Sequence, residues 1–256
     1  MNALSFANVS AAYGARRILS GVTATIRSGA VTAIVGPNGA GKTTLFRTAL
    51  GVLPSDGVIS ILDHDLASWS REALARTVAY LPQGADAHWP INAQRLVALG
   101  RLPHRKPFAP PSAADEAAVT DALARCEASE FADRAIDELS SGERARVLLA
   151  RALATSAPIL MADEPAAHLD PAHQLSLMRL LKDEARRGTA VLVTLHDLAL
   201  ASRYCDEILV LEKGTVAAQG APDQALDDAT LARVFGIRAL RVREGEGSAV
   251  LAWTPL

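Results

Sequence analysis

Aromatic side chains make up only 4% of the 256 residues, although half of all residues are apolar, so the core must be built mainly from Ala, Leu, Val and Ile. Cysteine is almost absent. Cys126 and Cys205 lie far apart and form no metal-spaced pair, and they read as two reduced thiols of a cytoplasmic protein. No apolar run approaches the ~18 residues needed to cross a bilayer. The start, MNALSFANVS, lacks the charged and apolar blocks of a signal peptide. The expectation is a chain soluble by itself, whose membrane role, if it has one, comes through a partner. A formal charge of −2 excludes a whole-chain attraction to nucleic acid or anionic lipid and leaves room only for a local patch.

The length suits one large α/β domain carrying an inserted lobe. Short β-rich pieces (LSFANV, VTATI, VTAIV) fill Leu4 to Val35, and VTAIV runs straight into glycines, as a buried strand does. A helix is expected from about Gly41 to Leu50, a strand from Val58 to Leu62, a short helix from Arg71 to Thr77 and then the strand VAYLP. From about Ala93 to Ala154 the residues favour helix, broken by the proline-rich loop His104 to Pro111. Ser112 with Asp115 suits a helix start, with the helix running on to Ala128. Ala145, Leu148, Leu149, Ala152 and Leu153 fall on one helical face. The α/β pattern resumes with ILMA, a helix from Pro171 to Arg187, the strand AVLVTL and a hairpin turning at Lys213-Gly214. The tail from Pro222 reads as a helical segment plus a few strand-like residues. Residues 1–83 and 158–256 are therefore expected to form the α/β core, and 84–157 a helical subdomain.

Residues 36 to 44, GPNGAGKTT, satisfy G-x-x-x-x-G-K-[ST]. Gly36, Gly39 and Gly41 let the loop GPNGAGKTT, which includes Pro37, Asn38 and Ala40, curl so that successive backbone N–H groups point at phosphate oxygens. The helix opening at Gly41 adds its positive end. Lys42 places a charge on the β/γ-phosphates, the Thr43 hydroxyl is placed to ligate Mg²⁺, and Thr44 completes the motif. The run ILMADEP ends an apolar strand in two acids. At the carboxyl end of a parallel strand Asp163 can hold Mg²⁺, usually through water, and Glu164 can polarise an attacking water as general base.

Beyond these, LSSGE at Leu139 to Glu143 resembles the signature motif of the ABC ATPase family, and the other family features stand in order along the chain: Tyr13, Gln83, Asp170 in AAHLD, and His196 after VLVTL. The resemblance covers essentially the whole chain. It implies a P-loop NTPase core with an antiparallel β subdomain and an inserted helical subdomain, and ATP with Mg²⁺ as cofactors. Tyr13 resembles the aromatic that stacks on adenine. Gln83 resembles the residue that reaches Mg²⁺ and the attacking water, and His196 the switch histidine that contacts the γ-phosphate and orients Glu164.

Ser140, Ser141, Gly142 and Glu143 open a helix whose N-terminus can hold an anion. In the family that site closes over ATP held by a second subunit, which implies a head-to-tail homodimer with two ATPs, and Asp170 links the two sites. Two departures stand out. Ser141 occupies a position where the family usually has glycine, and Ala166 and Ala167 stand where it has a hydroxyl residue. Trp89 and Leu96 are candidates either for contacts with a transmembrane subunit or for the core of the lobe.

VALGRLPHR, Arg134 and the tail GAPDQAL...TLARVFGI resemble the subfamily serving importers of iron chelates, haem and vitamin B12. This implies transmembrane permease subunits, a periplasmic or surface substrate-binding protein, no nucleic acid, and a peripheral place on the cytoplasmic face of the membrane. The alternatives are a zinc or manganese importer, an exporter, and a non-transport ABC ATPase.

Overall fold

The computed structural model describes residues 2–84, 91–106, 108–244 and 247–256, and the chain divides into two compact units, 1–69 with 182–256 and 70–181. The first unit starts with two long strands, β1 (Asn2–Tyr13) and β2 (Arg16–Arg27). They outrun the short pieces expected from the sequence because bulges absorb the breaks. Asn8 takes a left-handed φ of 54° in mid-strand, and its N–H is still held by the Thr23 hydroxyl at 3.0 Å. β3 (Val31–Val35) is buried along its whole length and feeds α1 (Lys42–Ala49). Leu45 and Phe46 of α1 are fully buried, and each such side chain contributes about 1.5–3 kcal/mol over leaving it in water. β4 (Ser55–Ile61) and β5 (His64–Asp65) complete an antiparallel sheet of order β2-β1-β4-β5.

The second unit opens with α2 (Arg71–Thr77), capped by Ser70, and β6 (Val78–Leu81). α3 (Ala93–Ala98) buries Leu96 and Val97, so Leu96 belongs to the core of the lobe; Trp89 lies outside the described residues. α4 (Ala113–Arg125) starts on the expected capping box, in which Ser112 and Asp115 satisfy each other's backbone N–H. It ends three residues before Ala128. Glu127 turns left-handed (φ 51°) and the Ala128 N–H closes on Leu123 O at 2.8 Å, a termination that needs no glycine. α5 (Ser141–Leu153) packs Val147, Leu149, Ala150 and Ala152 inward. β7 (Ile159–Asp163) pairs in parallel with β6, and α6 (Pro171–Arg186) follows.

Back in the first unit, β8 (Ala190–Thr194) and β9 (Glu207–Glu212) flank β3, both parallel to it, with α7 (Leu198–Tyr204) between them in sequence. All five residues of β8 are buried, as are Ile208–Leu211 of β9, which is how a parallel sheet covered on both faces reads. β10 (Thr215–Gly220) returns antiparallel to β9 through the Lys213-Gly214 turn. Two short helices, α8 (Pro222–Ala225) and α9 (Asp228–Thr230), precede a hairpin of β11 (Ile237–Glu244) and β12 (Gly247–Pro255), far more strand than the tail suggested. Val250 is buried and its N–H donates to the Ser202 hydroxyl of α7 at 2.9 Å. Leu240, Val242, Leu251 and Trp253 are exposed. Among the described residues no helix is long and apolar enough to cross a membrane.

Candidate active site

In the first unit the loop from Gly36 to Gly41 joins the carboxyl end of β3 to the amino end of α1. Gly36 has φ 155°, and a Cβ there would stand 2.2 Å from Leu211 O, a backbone atom that cannot step aside. Gly41 has φ 105° and supplies no side-chain cap to α1, so the first N–H groups of that helix keep their donors for an anion. Pro37, Asn38 and Gly39 form an exposed crest, whereas Ala40 is buried. Lys42 is buried, and its Nζ donates to Gly36 O at 2.9 Å, which folds the ammonium back over the loop. Thr43 is half-buried and Thr44 buried at the start of α1. Gly36→Ala is expected to weaken ATP binding about 10- to 100-fold, the cost of forcing an L-residue into this backbone. Titration with a fluorescent ATP analogue reads this, with the far-UV circular dichroism unchanged.

Tyr13, at the end of β1, exposes 43% of its surface, and its hydroxyl accepts a hydrogen bond from Arg47 Nη1 at 2.9 Å. The last turn of the phosphate-loop helix therefore fixes the orientation of the ring. Arg47 was not singled out by its sequence, because a basic residue in a last helical turn ordinarily complements the helix dipole. His196 stands exposed just beyond β8, and the next residue, Asp197, caps α7 by accepting from the Ala199 and Leu200 N–H groups.

In the second unit Asp163 ends β7 with no exposed surface, and the Tyr80 phenol of β6 reaches its Oδ2 at 3.5 Å. Glu164 follows with a left-handed φ of 50°, a conformation that costs a non-glycine residue energy. Gln83 Nε2 donates to Glu164 Oε2 at 2.5 Å. The structure thus joins the expected base to the expected linker residue, a pairing that their separation of 81 residues conceals in the sequence. A cleft of about 510 Å³ lies here, lined by Gln83, Ser141, Arg144, Glu164 and His168 among others. Ala166 is buried and its carbonyl accepts from Gln174 Nε2 at 3.2 Å.

The amino end of α5 is a full capping box. Glu143 N–H donates to Ser140 Oγ at 3.3 Å, and Glu143 Oε2 accepts from Ser140 N–H at 2.8 Å. These Ser140 bonds, with Arg134 beside them, hold the Glu143 carboxyl below its usual range. Ser140 and Ser141 are exposed, and Ser141, the serine that replaces glycine, lines the cleft. Gly142 is buried under the His173 ring, and a Cβ on it would fall 1.9 Å from that ring. His173 Nδ1 is in turn bound to Asp170 Oδ2 at 2.6 Å, and the His173 N–H donates to Asp170 Oδ1 at 3.0 Å. Those bonds, the backbone one first, pull the Asp170 carboxyl below its usual range. His173 belongs to none of the sequence motifs above. The one local signal was its place three residues after Asp170, the spacing of a helix cap.

Glycines that no Cβ could replace, set at an uncapped helix start behind a buried parallel strand, make this a phosphate-binding loop and the molecule a P-loop nucleotide-binding protein. The residues expected to meet a metal are Thr43 in the first unit and Asp163 and Gln83 in the second, and each carries an oxygen: a hydroxyl, a carboxylate and a side-chain amide. These hard oxygens suit Mg²⁺, which typically takes only one or two carboxylates beside substrate phosphates.

The model of the ABC transporter family matches residues 19–167, and the chain belongs to that family. Its members' ATP-binding subunits hydrolyse ATP to drive transport, and this chain is such an ATP hydrolase. It is 44% identical over 225 residues to the hemin import ATP-binding protein HmuV of Streptomyces coelicolor, covering 87% of this chain and 79% of that one. Among solved structures, an inward-facing metal-chelate type ABC transporter superposes with a TM-score of 0.86 at 25% identity, covering 100% of this chain and 98% of its own. The dimeric ATP-binding cassette MJ0796, in a post-hydrolysis state with ADP and Pi, gives 0.73 at 25% identity, covering 86% and 98%. The fold is that of an ABC ATPase, α/β with one mixed sheet and antiparallel sheets.

Proposed function

We propose that this chain powers an importer of a metal chelate of the haem, iron-siderophore or cobalamin type, working as a homodimer closed around two ATPs. The observation that carries the cargo class is the 44% identity to a hemin import ATP-binding protein across most of both chains. The dimer reading is supported by α5. The capping box at its exposed amino end takes only the Ser140 and Glu143 N–H groups, so those of Ser141 and Gly142 are left to meet an anion, and the phosphate loop already serves the nucleotide of its own chain.

In this reading the loop from Gly36 to Thr44 binds the triphosphate and Lys42 neutralises its β/γ-oxygens. Tyr13, oriented by Arg47, stacks on the adenine. Thr43, Asp163 and Gln83 would hold Mg²⁺, which when bound would supply charge neutralisation at the phosphates. Glu164, held by Gln83, takes a proton from the attacking water, while His196 contacts the γ-phosphate. Ser140, Ser141, Gly142 and Glu143 form the helix end that meets the γ-phosphate bound to the second copy, and Asp170 ties that end to the neighbouring site. Cleavage removes the bridging γ-phosphate and the copies part at the cytoplasmic face of the membrane, and a transmembrane permease converts this opening into transport. A substrate-binding protein delivers the cargo.

The test is reconstitution with the co-expressed permease. Binding protein loaded with haem, siderophore or cobalamin is expected to raise ATP turnover severalfold over the unloaded protein. Stimulation by a zinc- or manganese-loaded binding protein alone would move the chain to a different importer.

A further inference from the structure

The stretch VALGRLPHR stands apart from every nucleotide contact described above, yet its backbone and side chains converge on one place, the carboxyl end of α5. After α3 the chain runs through a 3₁₀ segment, Leu99–His104. Gly100 lies so close to α5 that a Cβ on it would stand 2.1 Å from Arg151 O. Its carbonyl accepts from Thr155 Oγ1 at 3.2 Å. Arg101 is buried, and its Nη1 donates to Ala154 O at 2.8 Å and to Ser156 Oγ at 3.3 Å, while its Nε pairs with Asp115 Oδ1 at 3.0 Å. His104 Nε2 meets Thr155 O at 2.8 Å; since a carbonyl only accepts, that nitrogen carries the proton. Pro103 O is held from outside by Arg76 Nε at 2.7 Å.

Ala154 is the C-cap of α5 and Thr155 the residue after it. The Ala154 carbonyl is one of the acceptors that a helix end leaves without an intrahelical partner, and the Thr155 carbonyl follows it; the Arg101 guanidinium and the His104 imidazole take them. The amino end of the same helix carries Ser140 and Gly142. A helix of 13 residues is a rod of roughly 20 Å, so whatever fixes the axial position of one end fixes the other.

We propose that Gly100, Arg101 and His104 form a clasp that sets the position of α5, with Arg101 and His104 acting as positioning residues for its phosphate-binding amino end. Gly100 permits the close approach, Arg101 anchors the rod to α4 through Asp115, and His104 closes the last turn. The inference rests on the ATP-bound dimer proposed above.

The test uses the full chain carrying Glu164→Gln, so that dimers persist, and adds His104→Ala or His104→Gln. The dimer dissociation constant with Mg·ATP is measured by sedimentation, and ATP affinity by titration at a protein concentration too low for dimers. In the His104→Ala chain the dimer is expected to weaken about tenfold, the loss of one well-made hydrogen bond per chain, while ATP affinity stays within about twofold. Glutamine, whose amide nitrogen reaches where Nε2 stands, recovers most of the loss. Unchanged dimerisation in His104→Ala overturns the clasp. So does a parallel fall in ATP affinity, or glutamine behaving no better than alanine. A parent Glu164→Gln chain that fails to dimerise with its clasp intact overturns the dimer reading instead.

Discussion

Glu164→Gln is expected to cut steady-state ATP turnover by about 10²–10⁴-fold while leaving ATP binding intact, so that the chain collects as an ATP-bound dimer. The size follows from what the carboxylate does. Phosphoryl transfer asks the protein mainly to position water and stabilise charge, and a well-placed base supplies a defined share of that. The geometry makes the substitution unusually clean. Glu164 sits on a left-handed backbone, and an amide of the same shape still accepts from Gln83 Nε2 through its own oxygen. Phosphate release and sedimentation with Mg·ATP read the two effects separately. Ordinary turnover in this variant would remove Glu164 from its role.

Gly142→Ala is the second large effect. The new methyl would fall 1.9 Å from the His173 ring, and the ring has little freedom to retreat because Asp170 Oδ2 holds its Nδ1. The first turn of α5 must shift instead, carrying the Ser140 hydroxyl and the Gly142 N–H out of line with the phosphate. The dimer is expected to weaken about 10²–10³-fold, the scale of losing a preorganised oxyanion donor. ATP affinity of the single chain should not change, since Gly142 contributes nothing to the phosphate loop of its own copy. Gly142→Ala combined with His173→Ala removes the obstacle, and partial recovery of dimerisation in that double variant identifies the ring as the cause.

Much of this was legible in the sequence where the physics is local. The phosphate loop shows because only glycine tolerates the backbone at Gly36 and Gly41, and the starts of α4 and α5 show because a capping box needs just four neighbouring residues. What stayed hidden is non-local. Tyr80 and Asp163, or Gln83 and Glu164, meet only after two parallel strands pair in register. The end of α4 was placed too late because Glu127 adopts the left-handed turn without the glycine that usually announces it. The closing hairpin was underestimated for another reason. Leu240 and Val242 alternate with Arg241 and Arg243, but the apolar side is the exposed one, with Leu251 and Trp253 exposed too, while Arg241 donates to Leu226 O.

The most direct test of a site shared between copies mixes two crippled chains, both in the Glu164→Gln background. One carries Lys42→Ala and cannot hold the triphosphate; the other carries Gly142→Ala and cannot close over it. Neither should dimerise alone with Mg·ATP, whereas the mixture retains one complete site and is expected to form heterodimers in sedimentation. A mixture that stays as monomeric as its components, or a Gly142→Ala chain that dimerises as well as its parent, would contradict the account.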